Sequence, residues 1–175
     1  MGDFKSLTSQ EAIEKIKELA EDQICLFCTM DGGEIISRPM GTSGIDEDGT
    51  IWFVSQKDSD KNRQIQKDHA VNLMYMNTAK QHYLTLSGIA NVVIDQNKID
   101  ELWSPMLKAW FEEGKDDPKL SLIKVSPGEG HYWDTKNGKL VSMLKIAAAA
   151  VTGKQMDGGV EGDLKLRTNS SRFTG

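Results

Sequence analysis

The chain has little cysteine, two residues in 175. Cys25 and Cys28 form a C-x-x-C, a spacing that serves zinc or redox chemistry when further ligands accompany it. No second pair exists, and both lie in Ile24-Cys25-Leu26-Phe27-Cys28-Thr29-Met30, an apolar run that reads as a buried strand. Strand residues three apart point to opposite faces, so two buried thiols are expected and no metal site. Excess basic charge is also missing. Lys plus Arg number 21 against 26 Asp plus Glu, a net charge of −5. A surface that tracks phosphodiesters needs a basic stripe, so no nucleic-acid partner is expected. No stretch approaches the roughly 20 apolar residues that span a bilayer, and no basic segment leads into an apolar run at the N-terminus. No membrane partner is expected, and the chain reads as cytoplasmic. Neither G-x-G-x-x-G nor G-x-x-x-x-G-K-[ST] follows a predicted strand, which argues against the dinucleotide-binding and P-loop folds.

What is present suits one domain with a core of ordinary size. Thr8-Ser9-Gln10-Glu11 is a capping box, and Ile13, Ile16, Leu19 and Ala20 follow at helical spacing, so residues 9–21 are predicted helical. Asp31-Gly32-Gly33 marks a hairpin between the first strand and a second from Glu34 to Met40. Asp46-Glu47-Asp48-Gly49 turns into a third strand, Thr50 to Ser55. A short helix from Asp58 to Lys67 is expected, capped by Asp58 or Ser59, with Ile65 as its one inward residue. Strands follow at Ala70 to Asn77, at His82 to Ile94 with a bend at Gly88, and at Leu120 to Ser126. Asn97 to Glu113 is predicted helical with a break near Pro105; its Leu102, Trp103, Met106, Leu107, Trp110 and Phe111 suit a core or a partner surface. Pro127-Gly128-Glu129-Gly130 reads as a turn into His131-Tyr132-Trp133-Asp134, and Leu140 to Val151 as a last helix stopped by Gly153. Six strands joined by hairpin turns and flanked by short helices predict a mainly β fold, an antiparallel barrel with peripheral helices. Residues 1–157 form the domain in this reading, and 158–175 a loose polar tail.

Two stretches carry chemistry. Ile35 to Met40 and Ile51 to Ser55 are apolar runs that end in cations and hydroxyls: Arg38, then Ser55, Ser59 and Lys61. A phosphate monoester is best held by a guanidinium fork, an ammonium, hydroxyls and helix N-terminal amides. Lys61 in a first helical turn opposes the helix dipole unless an anion sits there; a solvated surface lysine is the alternative. Pro39 lacks an N–H, so its strand has an edge or a bulge.

These residues resemble a known family. Ser37-Arg38-Pro39-Met40, then Phe53-Val54-Ser55 and Ser59-Asp60-Lys61, are similar to the FMN-binding pattern of the pyridoxamine 5'-phosphate oxidase-like split-barrel superfamily, nearest its bacterial general stress branch. The resemblance runs from Leu7 to Gly162 and includes Tyr83-Leu84-Thr85-Leu86-Ser87-Gly88, the segment from Leu102-Trp103 to Trp110-Phe111, and His131-Tyr132-Trp133-Asp134. It implies a six-stranded split barrel and a homodimer with flavin sites at the subunit interface. It also implies FMN as cofactor, with FAD the alternative. Arg38, Ser59 and Lys61 would hold the phosphate; Pro39 and Met40 would lie against the ring through their backbone; Val54 and Ser55 would contact ring or ribityl chain. Tyr83, Trp103 and Trp133 would approach the flavin, some from the second subunit. Asp60 stands where the oxidases carry a second basic residue, and their C-terminal arginine and histidine pattern is missing after Trp133, which argues against oxidation of pyridoxamine phosphate. The expected function is a flavin-dependent oxidoreductase of general stress type; a non-catalytic flavin-buffering protein and a ligand-free dimeric barrel are the alternatives. No catalytic residue is assigned, and His82 and His131 are the local candidates for proton transfer, with structural roles favoured for both.

Overall fold

In the computed structural model, which describes residues 3–4, 7–8, 10–135 and 159–166, strands dominate. Two short strands, β1 (Asp3–Phe4) and β2 (Leu7–Thr8), precede helix α1 (Gln10–Ala20). The hairpin β3 (Ile24–Asp31) and β4 (Glu34–Gly41) turns on Gly32 and Gly33, whose φ of +59° and +88° suit residues without a Cβ. Then come β5 (Gly44–Ile45), β6 (Ile51–Gln56), α2 (Asp60–Lys67), β7 (Ala70–Asn77), β8 (His82–Val93) and α3 (Gln96–Leu102). Two 3₁₀ turns, Pro105–Ala109 and Gly114–Asp116, lead to β9 (Leu120–Thr135) and β10 (Gly159–Lys165). Pro105 breaks the helical segment where the sequence places the break, because it cannot donate to the helix behind it.

The body is the antiparallel path β6-β9-β8-β7-β3-β4. Among the described residues β4 and β6 do not pair, so the barrel is split between them. These are the six strands read from the sequence, and the expected class, a mainly β antiparallel split barrel with peripheral helices, is the one found. α1 covers one end with Ala12, Ile16, Leu19 and Ala20. The barrel core holds Phe27, Phe53, Leu73, Leu84, Leu86, Ile123 and Tyr132, with Phe27 and Phe53 meeting edge to face at 5.1 Å between ring centroids. A second apolar cluster forms where α3 and the 3₁₀ segment pack outside the barrel: Trp52, Ile99, Phe111, Leu120 and Leu122, joined by Leu102, Trp103 and Leu107.

Cys25 and Cys28 are free and buried, as expected, and burial pushes the Cys25 thiol up to about 12. No group of metal-ligating side chains occurs among the described residues, and no helix among them is long and apolar enough to cross a membrane.

Three expectations are corrected. The turn at Pro127 to Gly130 is continuous strand within β9, and Pro127 sits opposite Gly88 at a register shift in the β8–β9 pairing, where a missing N–H is tolerated. Gly130 answers to packing, because a Cβ there would lie 2.5 Å from the Thr85 carbonyl oxygen. Within the loose tail expected over 158–175, Gly159–Lys165 is instead β10, which pairs antiparallel with β9 and parallel with β1 and β2 and buries Leu164, while 158 and 167–175 lie outside the described residues. Finally, α2 turns Asn62 and Gln64 inward as well as Ile65. Ser9 of the capping box and the helix expected at 140–151 lie outside the described residues.

Candidate functional site

The split in the barrel is a groove of about 840 Å³. Pro39, Met40 and Gly41 of β4 line one side, and Val54, Ser55 and Gln56 of β6 the other. Lys61 stands at one end, and Met106, Leu107 and Trp110 overhang from the 3₁₀ segment. The lining is largely apolar, through Ile24, Pro39, Met40, Val54, Leu107 and Trp110, with Ser55 and Gln56 polar on the β6 side. The hydroxyls and cations at the strand ends collect in one place.

At that end the α2 N-terminus docks through Asn62. Its carboxamide nitrogen donates to the carbonyls of Gln56 at 3.0 Å and Lys57 at 3.2 Å and to Ser121 Oγ at 3.0 Å, while its oxygen accepts from Ser55 Oγ at 2.8 Å. Ser59 is the N-cap, yet its side chain makes no capping bond; its Oγ lies 3.4 Å from Ser55 Oγ. The first-turn N–H groups of α2 are therefore left to another acceptor. With the helix dipole behind them they favour an anion.

Arg38 comes to the same region from β4. Its two terminal nitrogens donate to Thr29 Oγ1 at 2.7 Å and to Gln64 Oε1 at 2.8 Å. Burial lowers the Lys61 ammonium below its ordinary value, and the Arg38 guanidinium lowers it further, with Asp60 opposing. Burial also lowers Arg38, opposed by Cys28 and Asp60. Among the described residues neither cation forms an ion pair with a carboxylate. Asp60, whose side chain is 81% exposed, pairs with Arg63 and faces solvent, so the acid before Lys61 does not occupy the anion position. Two half-buried, mutually repelling cations, two hydroxyls and open helix amides, all at the end of a flat apolar slot, fit a phosphorylated planar ligand.

Of the residues read from the sequence, Pro39, Met40, Val54, Ser55 and Lys61 line this groove, with Arg38 and Ser59 beside Lys61. Tyr83, Trp103 and Trp133 do not line it. Trp103 packs in the second apolar cluster. Tyr83 and Trp133 are Cα partners on β8 and β9 and stand half exposed on the sheet's outer face. His82 and His131 are also off the groove, paired with Asp134 and Asp163 at 2.8 Å each.

The sequence reading missed Thr29, Asn62, Gln64 and the overhang of Met106 and Trp110. Thr29 carried a signal: a hydroxyl at inward parity with Cys25 and Phe27 must find a buried partner. Asn62 and Gln64 carried a weaker one, lying within one turn of the inward Ile65.

A model of the family described as pyridoxamine 5'-phosphate oxidase like matches residues 11–157. Protein bli-3 of Neurospora crassa is 24% identical over 156 residues, 81% of this chain and 75% of that protein. A crystal structure assigned to general stress protein 26, from Jannaschia sp. CCS1, superposes with a TM-score of 0.72 at 25% identity, covering 89% of this chain and 96% of that one. The general stress FMN/FAD binding protein of Xanthomonas citri has a TM-score of 0.63 at 27% identity, covering 75% of this chain and 94% of that one. The match over most of the chain, with the same fold in the two solved structures, places the chain in the pyridoxamine 5'-phosphate oxidase-like family.

Proposed function

We propose that the groove binds FMN and that the protein is a flavin-dependent oxidoreductase of general stress type. The observation that carries this is the convergence of Arg38 and Lys61, without carboxylate partners among the described residues, at one end of an apolar slot. Arg38, Lys61, Ser59 and the α2 amides hold the phosphate in this reading. The Pro39–Met40 backbone, Val54 and Ser55 lie along the ring and ribityl chain. When bound, the flavin supplies the redox chemistry, and the protein's part is to bind, orient and shield it. FAD is the alternative cofactor, as the Xanthomonas citri relative is described as an FMN/FAD binding protein.

The second reading is a flavin-buffering protein without turnover. It is favoured by the groove lining, where Asp22 and Lys61 are the titratable side chains among the described residues. Both readings take the protein as a homodimer acting in the cytoplasm, with Tyr83 and Trp133 reaching a flavin across the interface.

The visible spectrum of the purified protein tests the ligand class, and chromatography of the released flavin separates FMN from FAD. Added FMN should raise the melting temperature of flavin-free protein, because a ligand selective for the native state stabilises it. A colourless protein whose melting is unmoved by FMN rejects the flavin assignment. Bleaching of the bound flavin by NADH or NADPH with turnover supports the oxidoreductase. A tightly bound flavin that no donor reduces supports buffering.

A further inference from the structure

We propose that Gln64 and Thr29 are positioning residues, which hold the Arg38 guanidinium by neutral acceptors and so leave its whole charge to the phosphate. This rests on the FMN reading above. Both residues are buried, Thr29 1% and Gln64 7% exposed. Gln64 Oε1 accepts from Arg38 at 2.8 Å and from Thr29 Oγ1 at 2.6 Å, while Thr29 Oγ1 accepts from Arg38 at 2.7 Å. A guanidinium has no acceptor, so the amide oxygen of Gln64 faces Arg38 and the amide nitrogen faces away; the Thr29 hydroxyl has Gln64 Oε1 at 2.6 Å and the Ile36 carbonyl at 3.3 Å as acceptors.

The nitrogen points to Asp31 Oδ2 at 3.4 Å. Gln64 thus stands between a cation and a carboxylate and contacts each with the matching end of its amide. Asp31 is also 3.7 Å from Lys67, and Asp60 is paired with Arg63, so neither acid forms an ion pair with Arg38. A buried guanidinium usually meets a carboxylate, which cancels its charge and weakens its field at a third group. Two neutral acceptors satisfy the donor geometry without that loss. The consequence is discrimination: the arrangement favours phosphorylated over unphosphorylated flavin.

The test compares FMN and riboflavin binding by flavin fluorescence in flavin-free protein. Wild type should prefer FMN. Gln64→Glu, which keeps the shape and adds a charge against Arg38, should cut that preference by about tenfold or more, with riboflavin affinity changed by less than about twofold. Gln64→Met, which removes the acceptor without adding charge, should cut it by about fivefold, and Thr29→Val by a similar factor. In an Arg38→Met background Gln64→Met should have no further effect, as expected of groups acting through one another. Equal losses in both backgrounds, or an FMN preference unchanged by Gln64→Glu or Gln64→Met, overturn the positioning role while the flavin reading stands. Wild type with no preference for FMN overturns both. Should Gln64→Glu not fold, the Gln64→Met and Thr29→Val pair decides.

Discussion

Lys61 is the residue at which stability and binding are set against each other. Its ammonium is lowered by burial and by Arg38, so the folded chain gives up this proton at a lower pH than the unfolded chain does. Below the folded pKa the cost to folding is fully present, and it is relieved as pH rises through that value, where the unfolded state binds more protons. A phosphate reverses the balance by favouring the charged form. FMN affinity should therefore fall as pH rises past the lowered Lys61 value, whereas riboflavin, lacking the phosphate, should show no such loss. Lys61→Met should weaken FMN about tenfold at neutral pH, the worth of one charge-assisted bond, and flatten this pH dependence. Titrations of both flavins from pH 7 to 10 on the two proteins check it. A parallel decline for FMN and riboflavin would place Lys61 away from the phosphate.

At the scale of elements, legibility followed how local the determinants were. The hairpin at Gly32 and Gly33, the break at Pro105 and the α2 cap, read as Asp58 or Ser59 and found at Ser59, are written in a few adjacent residues. β10 has little pattern of its own. Its apolar side chains are Val160 and Leu164, and its strand identity comes from pairing with the second half of β9, a contact that windowed reading does not contain. Pro127 to Gly130 carries turn chemistry that long-range pairing overrides. The proline occupies a bulge, and Gly130 is small because β8 passes too near for a side chain. Gly130→Ala should therefore cost about 1–3 kcal/mol, since a methyl group would meet the Thr85 carbonyl and Leu86. Gly41→Ala, where a Cβ meets nothing within 4 Å, should change stability by less than about 0.5 kcal/mol. Urea unfolding of the two variants separates these outcomes, and equal midpoints would mean that β9 shifts to absorb the methyl at no cost. The phosphate end of the site was likewise legible, because its cations and hydroxyls cluster at strand and helix ends. Its supporting residues were not, because Thr29 and Gln64 meet Arg38 only in the folded chain.

For the whole molecule the apolar outer face of the barrel matters most. On the outer face of the barrel, Leu26 of β3 lies between Pro39 of β4 and Met74 of β7, and Met76, Tyr83 and Trp133 form the neighbouring row across β7, β8 and β9. Ile24 and Met76 are 68% and 62% exposed. A contiguous apolar face of this kind is rare on a monomer and marks an interaction surface. Ile24 and Pro39 also line the groove, so whatever covers the face borders the groove as well. In the homodimer proposed above, a second copy of the chain would cover the face and bring Tyr83 and Trp133, which one chain holds away from its own groove. Sedimentation should then give twice the chain mass at micromolar concentration. Leu26→Asp or Met74→Asp should yield folded monomers, because a carboxylate at the centre of such a contact is desolvated without a partner. Those monomers should bind FMN at least about tenfold more weakly, having lost the aromatic residues the partner would bring to the flavin. A monomeric variant that keeps wild-type FMN affinity would show instead that one chain completes the site, and a wild type that sediments as a monomer would leave the face to some other occupant.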